Sequence, residues 1–290
     1  MRRYRSEDDD SARWAGFPYR EGDVVISTRS KSGTTWMQMI CALLVLDTPD
    51  LPAPLSELSP WVDHAVESVA DVVARLQAQQ HRRFVKTHTP LDGLPLDDRA
   101  TYIVVARHPL DMALSLYHQG DNLDRKRLAE LTGVPARVRE PRSDAHDWLV
   151  AWTRSSSTAL EQPDSPAGVV HHVRDAWDRA ATRSNVVLVH YADLLADLPG
   201  QMAALAGRLG LSVTAERVAT LARAASFEAM RSRSAELAPD TLGVLRDTDA
   251  FFRSGRSGAG RELLTAKELA AYEARVAPLA PPEVLAWLHR

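Results

Sequence analysis

Four short apolar runs set the pattern of the chain: Val24-Val25-Ile26-Ser27-Thr28, Arg83-Phe84-Val85-Lys86-Thr87, Thr101-Tyr102-Ile103-Val104-Val105-Ala106 and Val186-Val187-Leu188-Val189. They are rich in β-branched residues and alternate poorly between apolar and polar, as strands of a parallel sheet do when both faces are buried. Between them apolar residues recur at helical spacing. Trp36, Met39, Ile40, Leu43 and Leu44 follow the first run, and Met112, Leu116 and Tyr117 follow the third, with Pro109 suited to a first helical position. After the fourth run come Leu194, Leu195, Leu198, Met202, Leu205 and Leu209. Strands alternating with helices predict an α/β fold with a mostly parallel, doubly wound central sheet flanked by helices.

Two stretches break the pattern. Residues 121–145 are crowded with charge (Arg125-Lys126-Arg127, then Arg137-Val138-Arg139-Glu140-Pro141-Arg142), and residues 161–168 are rich in Pro, Ser and Gly. Both read as mobile surface loops, with a lid over a site as the alternative. Residues 1–20 read as a charged N-terminal extension with no apolar core of a secretory signal, and the most apolar stretch, 37–46, is too short to span a bilayer. A soluble, cytoplasmic protein is expected. With 45% hydrophobic and 25% charged residues the composition is that of a globular protein, and a net charge of −3 offers no general field for nucleic acid. A phosphate-bearing ligand has to be held by a few local cations. The single cysteine, Cys41, has no partner for an intramolecular disulfide and no cation beside it in sequence, so it reads as core.

Three segments carry chemistry. Ser30-Lys31-Ser32-Gly33-Thr34-Thr35-Trp36 follows a strand and opens a helix. Gly33 permits close backbone approach, the helix start offers free N–H groups, and Lys31 adds a point charge, which together suit a phosphate or phosphosulfate. A capped helix with a solvent lysine is the plainer reading. There is no first-position glycine of a nucleotide-triphosphate loop. In Phe84-Val85-Lys86-Thr87-His88-Thr89-Pro90, a histidine stands at the carboxyl end of a strand, where open α/β sheets bind ligands, and it is either a general base or a satisfied polar residue. In Arg107-His108-Pro109, Arg107 again follows a strand, and Ser115 lies about two helical turns on; guanidinium and hydroxyl can share phosphate oxygens, or Arg107 can be a surface ion pair. All three segments fall at one edge of one sheet.

Taken together, Lys31-Ser32-Gly33-Thr34-Thr35-Trp36, Lys86-Thr87-His88, and Arg107 with Ser115 resemble the signature of the cytosolic-type sulfotransferases that use 3′-phosphoadenosine 5′-phosphosulfate (PAPS). The likeness continues through Tyr191, Ser226-Phe227 and Phe252-Arg253-Ser254-Gly255, so that it covers essentially all of residues 1–290 as one domain with a P-loop-like strand–loop–helix. The stretch from Gln79 to Leu94, with Leu58-Ser59-Pro60-Trp61, resembles mycobacterial glycolipid sulfotransferases within that family. The resemblance implies that residues 31–35 hold the 5′-phosphosulfate, that Arg107, Ser115, Arg253, Ser254 and Gly255 hold the 3′-phosphate, and that Trp36, Tyr191 and Phe227 frame the adenine. The sequence departs from the family at Ser30 (usually proline), Ala225 (often threonine), Ser254 (commonly lysine) and Gly260-Arg261 (usually Trp-Lys). The dimer motif is poorly matched around Arg261 to Ala270, which leaves the oligomeric state open.

The implied chemistry is in-line displacement at sulfur, with His88 taking the proton of an acceptor hydroxyl and Lys31 and Lys86 neutralising charge on the oxygens of the leaving phosphate. PAPS is then the donor and PAP the product, and no divalent metal is required. The acceptor expected from the resemblance is a small-molecule or lipid-linked hydroxyl, a glycolipid or other hydrophobic metabolite. A soluble phenol or secondary-metabolite alcohol is the alternative acceptor, and an ATP-dependent small-molecule kinase the alternative class. Trp61, Val62, Trp148 and Trp152 either line an apolar acceptor pocket or belong to the core.

Overall fold

The computed structural model describes residues 1–6, 9–133, 143–240 and 242–290. The apolar runs form strands β1 (Val24–Thr28), β2 (Phe84–Thr87), β3 (Thr101–Ala106) and β4 (Val186–His190). All neighbours are parallel, in the order β2-β1-β3-β4. Ile26 of β1 pairs with Lys86 on one side and Ile103 on the other, and Val105 of β3 pairs with Val189.

Burial explains the missing alternation. Val24, Ile26, Phe84, Ile103 and Val105 point into one core with helix α1 (Thr34–Leu46), while Val25, Val85, Tyr102, Val104 and Val186 join Trp14, Val72 and Ala176 in a second. With both faces covered, every position of β1 and β2 is buried. A third core joins helices Pro109–Asn122, Ala145–Thr153 and Pro282–Leu288. The chain thus folds as an α/β domain around one parallel sheet. Cys41 lies within α1 in the first core, and burial raises its thiol to about 12, which leaves it inert.

Several boundaries differ from the sequence reading. The N-terminal extension packs onto the domain: Tyr4 and Trp14 are buried, and the Tyr4 hydroxyl donates to Asp92 Oδ1 at 2.8 Å. Within the expected loop 121–145, Arg125–Thr132 is a helix, started by the Asp124 carboxylate accepting from the N–H groups of Lys126 and Arg127. Residues 134–142 of that stretch lie outside the described residues. The 161–168 loop is tied down: Ser165 is fully buried and caps helix Pro166–Ala180, and the Trp152 indole donates to the carbonyl of Asp164 at 2.8 Å. Charge density and turn residues suggested solvation; caps and buried partners determine the outcome. Among the described residues no helix is long and apolar enough to cross a membrane.

Arg83, expected inside the second strand, instead precedes it and faces Asp23 just before β1. Its Nε donates to Asp23 Oδ1 at 2.8 Å and its Nη2 to Asp23 Oδ2 and Pro18 O, with both side chains almost wholly buried. This pair registers the starts of the two central strands. Removing one partner leaves an uncompensated buried charge, so Asp23→Ala should cost about 3–5 kcal/mol. Equilibrium urea unfolding checks this; an unchanged midpoint would show that Arg83 finds another partner.

Candidate active site at the carboxyl ends of the strands

Because all four strands run the same way, their carboxyl ends share one edge, and a cavity of about 870 Å³ opens there. Each strand delivers residues to it: Lys31 and Gly33 after β1, His88 after β2, Arg107 after β3 and Tyr191 after β4.

The loop between β1 and α1 turns through left-handed backbone at Lys31 (φ 60°) and Gly33 (φ 104°). For lysine this conformation is strained by about 1–3 kcal/mol, a cost that is common at binding sites. Gly33 is required twice over, since a Cβ there would also lie 3.0 Å from the Tyr191 ring. The loop is closed by a hydrogen bond between the hydroxyls of Thr28 and Thr34. No side chain caps α1, so its first N–H groups stay available to an anion.

Lys31 Nζ donates to Gln119 Oε1 at 3.1 Å and sits 4.0 Å from the centre of the Phe251 ring. Burial, then the charges of Arg107 and Arg253, lower its ammonium to about 7. The Arg107 guanidinium lies over Tyr191 at 4.5 Å and donates to the carbonyls of Lys31 (3.2 Å) and Arg256 (3.0 Å), while its buried Nε has no protein partner. Arg253 is lowered by lost solvation, then by Arg107 and Arg256. Among the described residues no carboxylate pairs with Lys31, Arg107 or Arg253. Three unneutralised cations around one hollow, with an orphaned donor among them, fit a ligand carrying more than one anionic group.

On the other side of the cavity, His88 Nδ1 is 2.8 Å from the carbonyl of Thr28. A carbonyl only accepts, so Nδ1 carries the proton and Nε2 keeps its lone pair. Burial, then Lys86 and Arg29, push the imidazole down to about 3, so it is neutral at pH 7. Lys86 Nζ lies 4.2 Å from the Trp61 ring centre, and burial lowers it to about 8 against the opposing pull of Asp9 and Asp63. Trp61 meets His88 edge-on at 4.9 Å and stacks on His64 at 4.4 Å.

The remaining expected residues sort cleanly. Thr34, Thr35, Trp36, Ser115, Phe227, Phe252, Ser254 and Gly255 line the same cavity. Trp36 packs edge-on against Tyr191 at 5.1 Å and donates its indole N–H to Ala225 O at 2.8 Å. Gly255 (φ 58°) lies so close to Phe227 that a Cβ would approach its ring to 2.5 Å. Ser32 and Ser226 do not line the cavity; Ser32 is buried and Ser226 caps the short helix Phe227–Ser232. Of the four residues considered for an acceptor pocket, only Trp61 lines it. Val62 and Trp152 are core, and Trp148 packs against Tyr117, because their helix and loop turn them toward the second and third cores.

Four residues at the site, Arg29, Asp164, Asp63 and Asp111, are missed by sequence reasoning. Arg29 pairs with Asp164 (Nε and Nη2 to Oδ1 at 3.0 and 2.9 Å) and donates to the carbonyl of His88. Asp63 accepts from the hydroxyls of Thr87 and Thr89, which flank His88. Asp111 accepts from the N–H groups of Gly258 (2.7 Å) and Gly260 (2.8 Å), which anchors the end of the 252–258 segment. Gly260 lies on the backbone of Leu110, where a Cβ would come within 2.4 Å, so the tryptophan usual at this position has no room in this packing. These tethers are 24 to 149 residues long in sequence, and no local pattern announces them.

The arrangement can be compared with known proteins. A family model for the sulfotransferase domain matches residues 21–278. The glycolipid sulfotransferase of Mycobacterium tuberculosis is 42% identical over 305 residues, covering 99% of this chain and 93% of that protein. Human sulfotransferase 2B1 is 25% identical over 88% of this chain and 65% of its own length. Among solved structures, retinol dehydratase in complex with androsterone and inactive cofactor PAP superposes with a TM-score of 0.72 at 23% identity, over 93% of this chain and 83% of that one. Mouse sulfotransferase SULT7A1 complexed with PAP gives 0.71 at 20% identity, over 95% and 90%. At those identities the structures speak for the fold, whereas the domain match and the mycobacterial relative run through the strand-end loops themselves, and by them the chain belongs to the sulfotransferase family.

Proposed function

We propose that this sulfotransferase moves a sulfuryl group from PAPS to a hydroxyl of a glycolipid-type acceptor, with His88 as the general base. The observation that carries the assignment of the base is the hydrogen bond from His88 Nδ1 to Thr28 O, which leaves Nε2 unprotonated on the wall of the cavity that holds Lys31 and Arg107. The unpaired cations suit the donor: Lys31 and the start of α1 would hold the phosphosulfate, and Arg107, Ser115, Arg253, Ser254 and Gly255 the 3′-phosphate. Trp36, Tyr191 and Phe227 would enclose the adenine, with Phe252 beside them. In the reaction the acceptor oxygen forms its bond to sulfur as the bond from sulfur to the bridging phosphate oxygen breaks. His88 Nε2 takes the hydroxyl proton, and the electron pair leaves on the phosphate oxygen of PAP, where Lys31 and Lys86 neutralise it. This charge balance needs no divalent metal.

The glycolipid-type acceptor is supported by the mycobacterial relative and by the mixed lining of the cavity. Leu116, Leu123, Leu128, Leu131, Val244 and Leu245 give it apolar surface, and Arg5, Ser6, Asp9, Glu67 and Arg75 polar surface. An amphiphile suits such a lining better than a compact phenol does.

His88→Ala should lower kcat by about 10²–10⁴ while PAP still raises the melting temperature as in the wild type. A variant with near-normal turnover sinks the role of His88. PAP, with or without magnesium, should stabilise the protein far more than AMP does, by about 2.7 kcal/mol at a hundredfold excess over Kd. Stabilisation by magnesium-ATP and not by PAP would overturn the donor assignment.

The pH dependence follows from the lowered groups. His88 accepts a proton only when neutral, and it is neutral above about 3, so kcat/KM in the donor should show no loss near pH 6.5. Lys31 and Lys86 act only when charged, that is below about 7 and about 8, so kcat/KM should fall as pH rises through 7 to 9. Lys31→Arg should move that fall to higher pH. An acid limb near pH 6.5 with a flat alkaline side would contradict both assignments.

A further inference from the structure

Asp164 belongs to none of the groups that bind the donor or move the proton, yet it is held beside His88 with unusual care. Its backbone carbonyl accepts from the Trp152 indole at 2.8 Å. Its Oδ1 accepts from Arg29 Nε (3.0 Å), Arg29 Nη2 (2.9 Å) and the N–H of Ser30 (3.3 Å). Arg29, itself buried, donates its remaining nitrogen, Nη1, to the carbonyl of His88. Every hydrogen bond of the carboxylate therefore falls on Oδ1; among the described residues Oδ2 takes none. The side chain is about one-fifth exposed, and it lines the cavity together with His88 and Pro163. Burial alone would raise its pKa, but Arg29 and the Ser30 N–H outweigh that and keep it ionised.

An ionised oxygen with no partner among the described residues, on the wall of the cavity that His88 also lines, is free to accept a hydrogen bond from the substrate. The acceptor hydroxyl that reacts gives its proton to His88, so the hydrogen bond to Oδ2 must come from a different hydroxyl of the same molecule. We propose that Asp164 Oδ2 reads a second hydroxyl close to the one that is sulfated, so that the reacting group of the acceptor is one member of a polyol, such as a sugar ring, and not an isolated alcohol or phenol. The proposal rests on the reading of His88 as base above and gives the acceptor's head group its chemistry. Arg29 serves as the positioning residue: one guanidinium sets the carboxylate and the backbone of the base together, so the two contacts are made in a fixed relation. A site built to bond a hydroxyl rejects the analogue that lacks it, because the charged acceptor is then left without its hydrogen bond.

The test uses octyl β-D-glucoside, its monodeoxy analogues and para-octylphenol as acceptors, with the wild type and Asp164→Asn. In the wild type one deoxy analogue that retains the sulfated hydroxyl should lose about 10- to 100-fold in kcat/KM relative to the parent glucoside. In Asp164→Asn the parent glucoside should fall by a similar factor, the same deoxy analogue should lose little further, and para-octylphenol should change less than about threefold. An equal fall on glucoside and phenol would overturn the proposal and leave Asp164 acting only through Arg29. Wild-type turnover that is indifferent to every deoxy position, or confined to the phenol, would overturn it without any variant. Neither result touches the sulfuryl-transfer reading, which fails separately if PAP does not stabilise the wild type and no acceptor is sulfated.

Discussion

Positive charge without a partner is the constraint on which this site depends. Lys31 and Arg107 are held at the ends of parallel strands with no carboxylate opposite them among the described residues, and the fold gives Arg107 only carbonyls to bond. Each loses hydration, and the two repel each other, as the lowered ammonium of Lys31 records. In the empty protein between pH 7 and 10.5 the unfolded chain binds that proton more readily, so the group favours unfolding as the pH falls through this range. An anionic ligand reverses the sign. It supplies the missing counter-charge in surroundings of low dielectric, where the interaction is stronger than in water. The cluster is therefore electrostatically complete only with an anion, and binding and stability are two readings of the same energy.

The same charge shapes the base. Burial first, and then the nearby charges of Lys86 and Arg29, hold His88 far below its ordinary pKa. A base so weak is of little use until the positive field around it is offset. On the proposed reading the donor carries negative charge into that field, and the imidazole gains basicity as the substrate complex forms. Geometry need not change for this, since Nδ1 is already fixed on Thr28 O and the backbone around His88 is stitched to β1 through Ser27, Thr28 and Arg29. Preorganisation lies in the backbone tethers; activation lies in the ligand's charge.

Much of this was legible in the sequence because it is local. Four apolar runs without alternation gave a parallel sheet, and parallel strands place all their carboxyl ends on one edge, so Lys31, His88, Arg107 and Tyr191 had to converge. What was not legible is what side chains meet across the fold. Asp164 sits in a stretch whose Pro, Ser and Gly content reads as solvent, and its partner Arg29 is 135 residues away. Trp148 and Trp152 share a helical face, but periodicity says only that a face is apolar, not whether it borders a core or a cavity. Ser32 and Ser226 belong to motifs that line the site, yet their side chains do not, because successive residues of a tight turn or cap face different ways. The departures at Gly260 and Ser30 follow the same rule: Gly260 is set by the backbone of Leu110, and the N–H that a proline would lack at position 30 donates to Asp164.

That last substitution links the donor loop to the acceptor. A proline before Lys31 would stiffen the loop but could not bond Asp164; serine gives up stiffness and gains a donor to the carboxylate. Arg29 adds two more bonds to the same oxygen and one to the carbonyl of His88. On the proposed reading, the segment that turns into the anion cradle thereby also fixes the carboxylate and the base that face the acceptor. A displacement at sulfur needs donor and nucleophile in line, and small errors in their relation are costly. Here both sides of the reaction are referred to one stretch of backbone, Thr28 to Lys31, whose left-handed turn at Lys31 is the strain the fold retains to hold them in register.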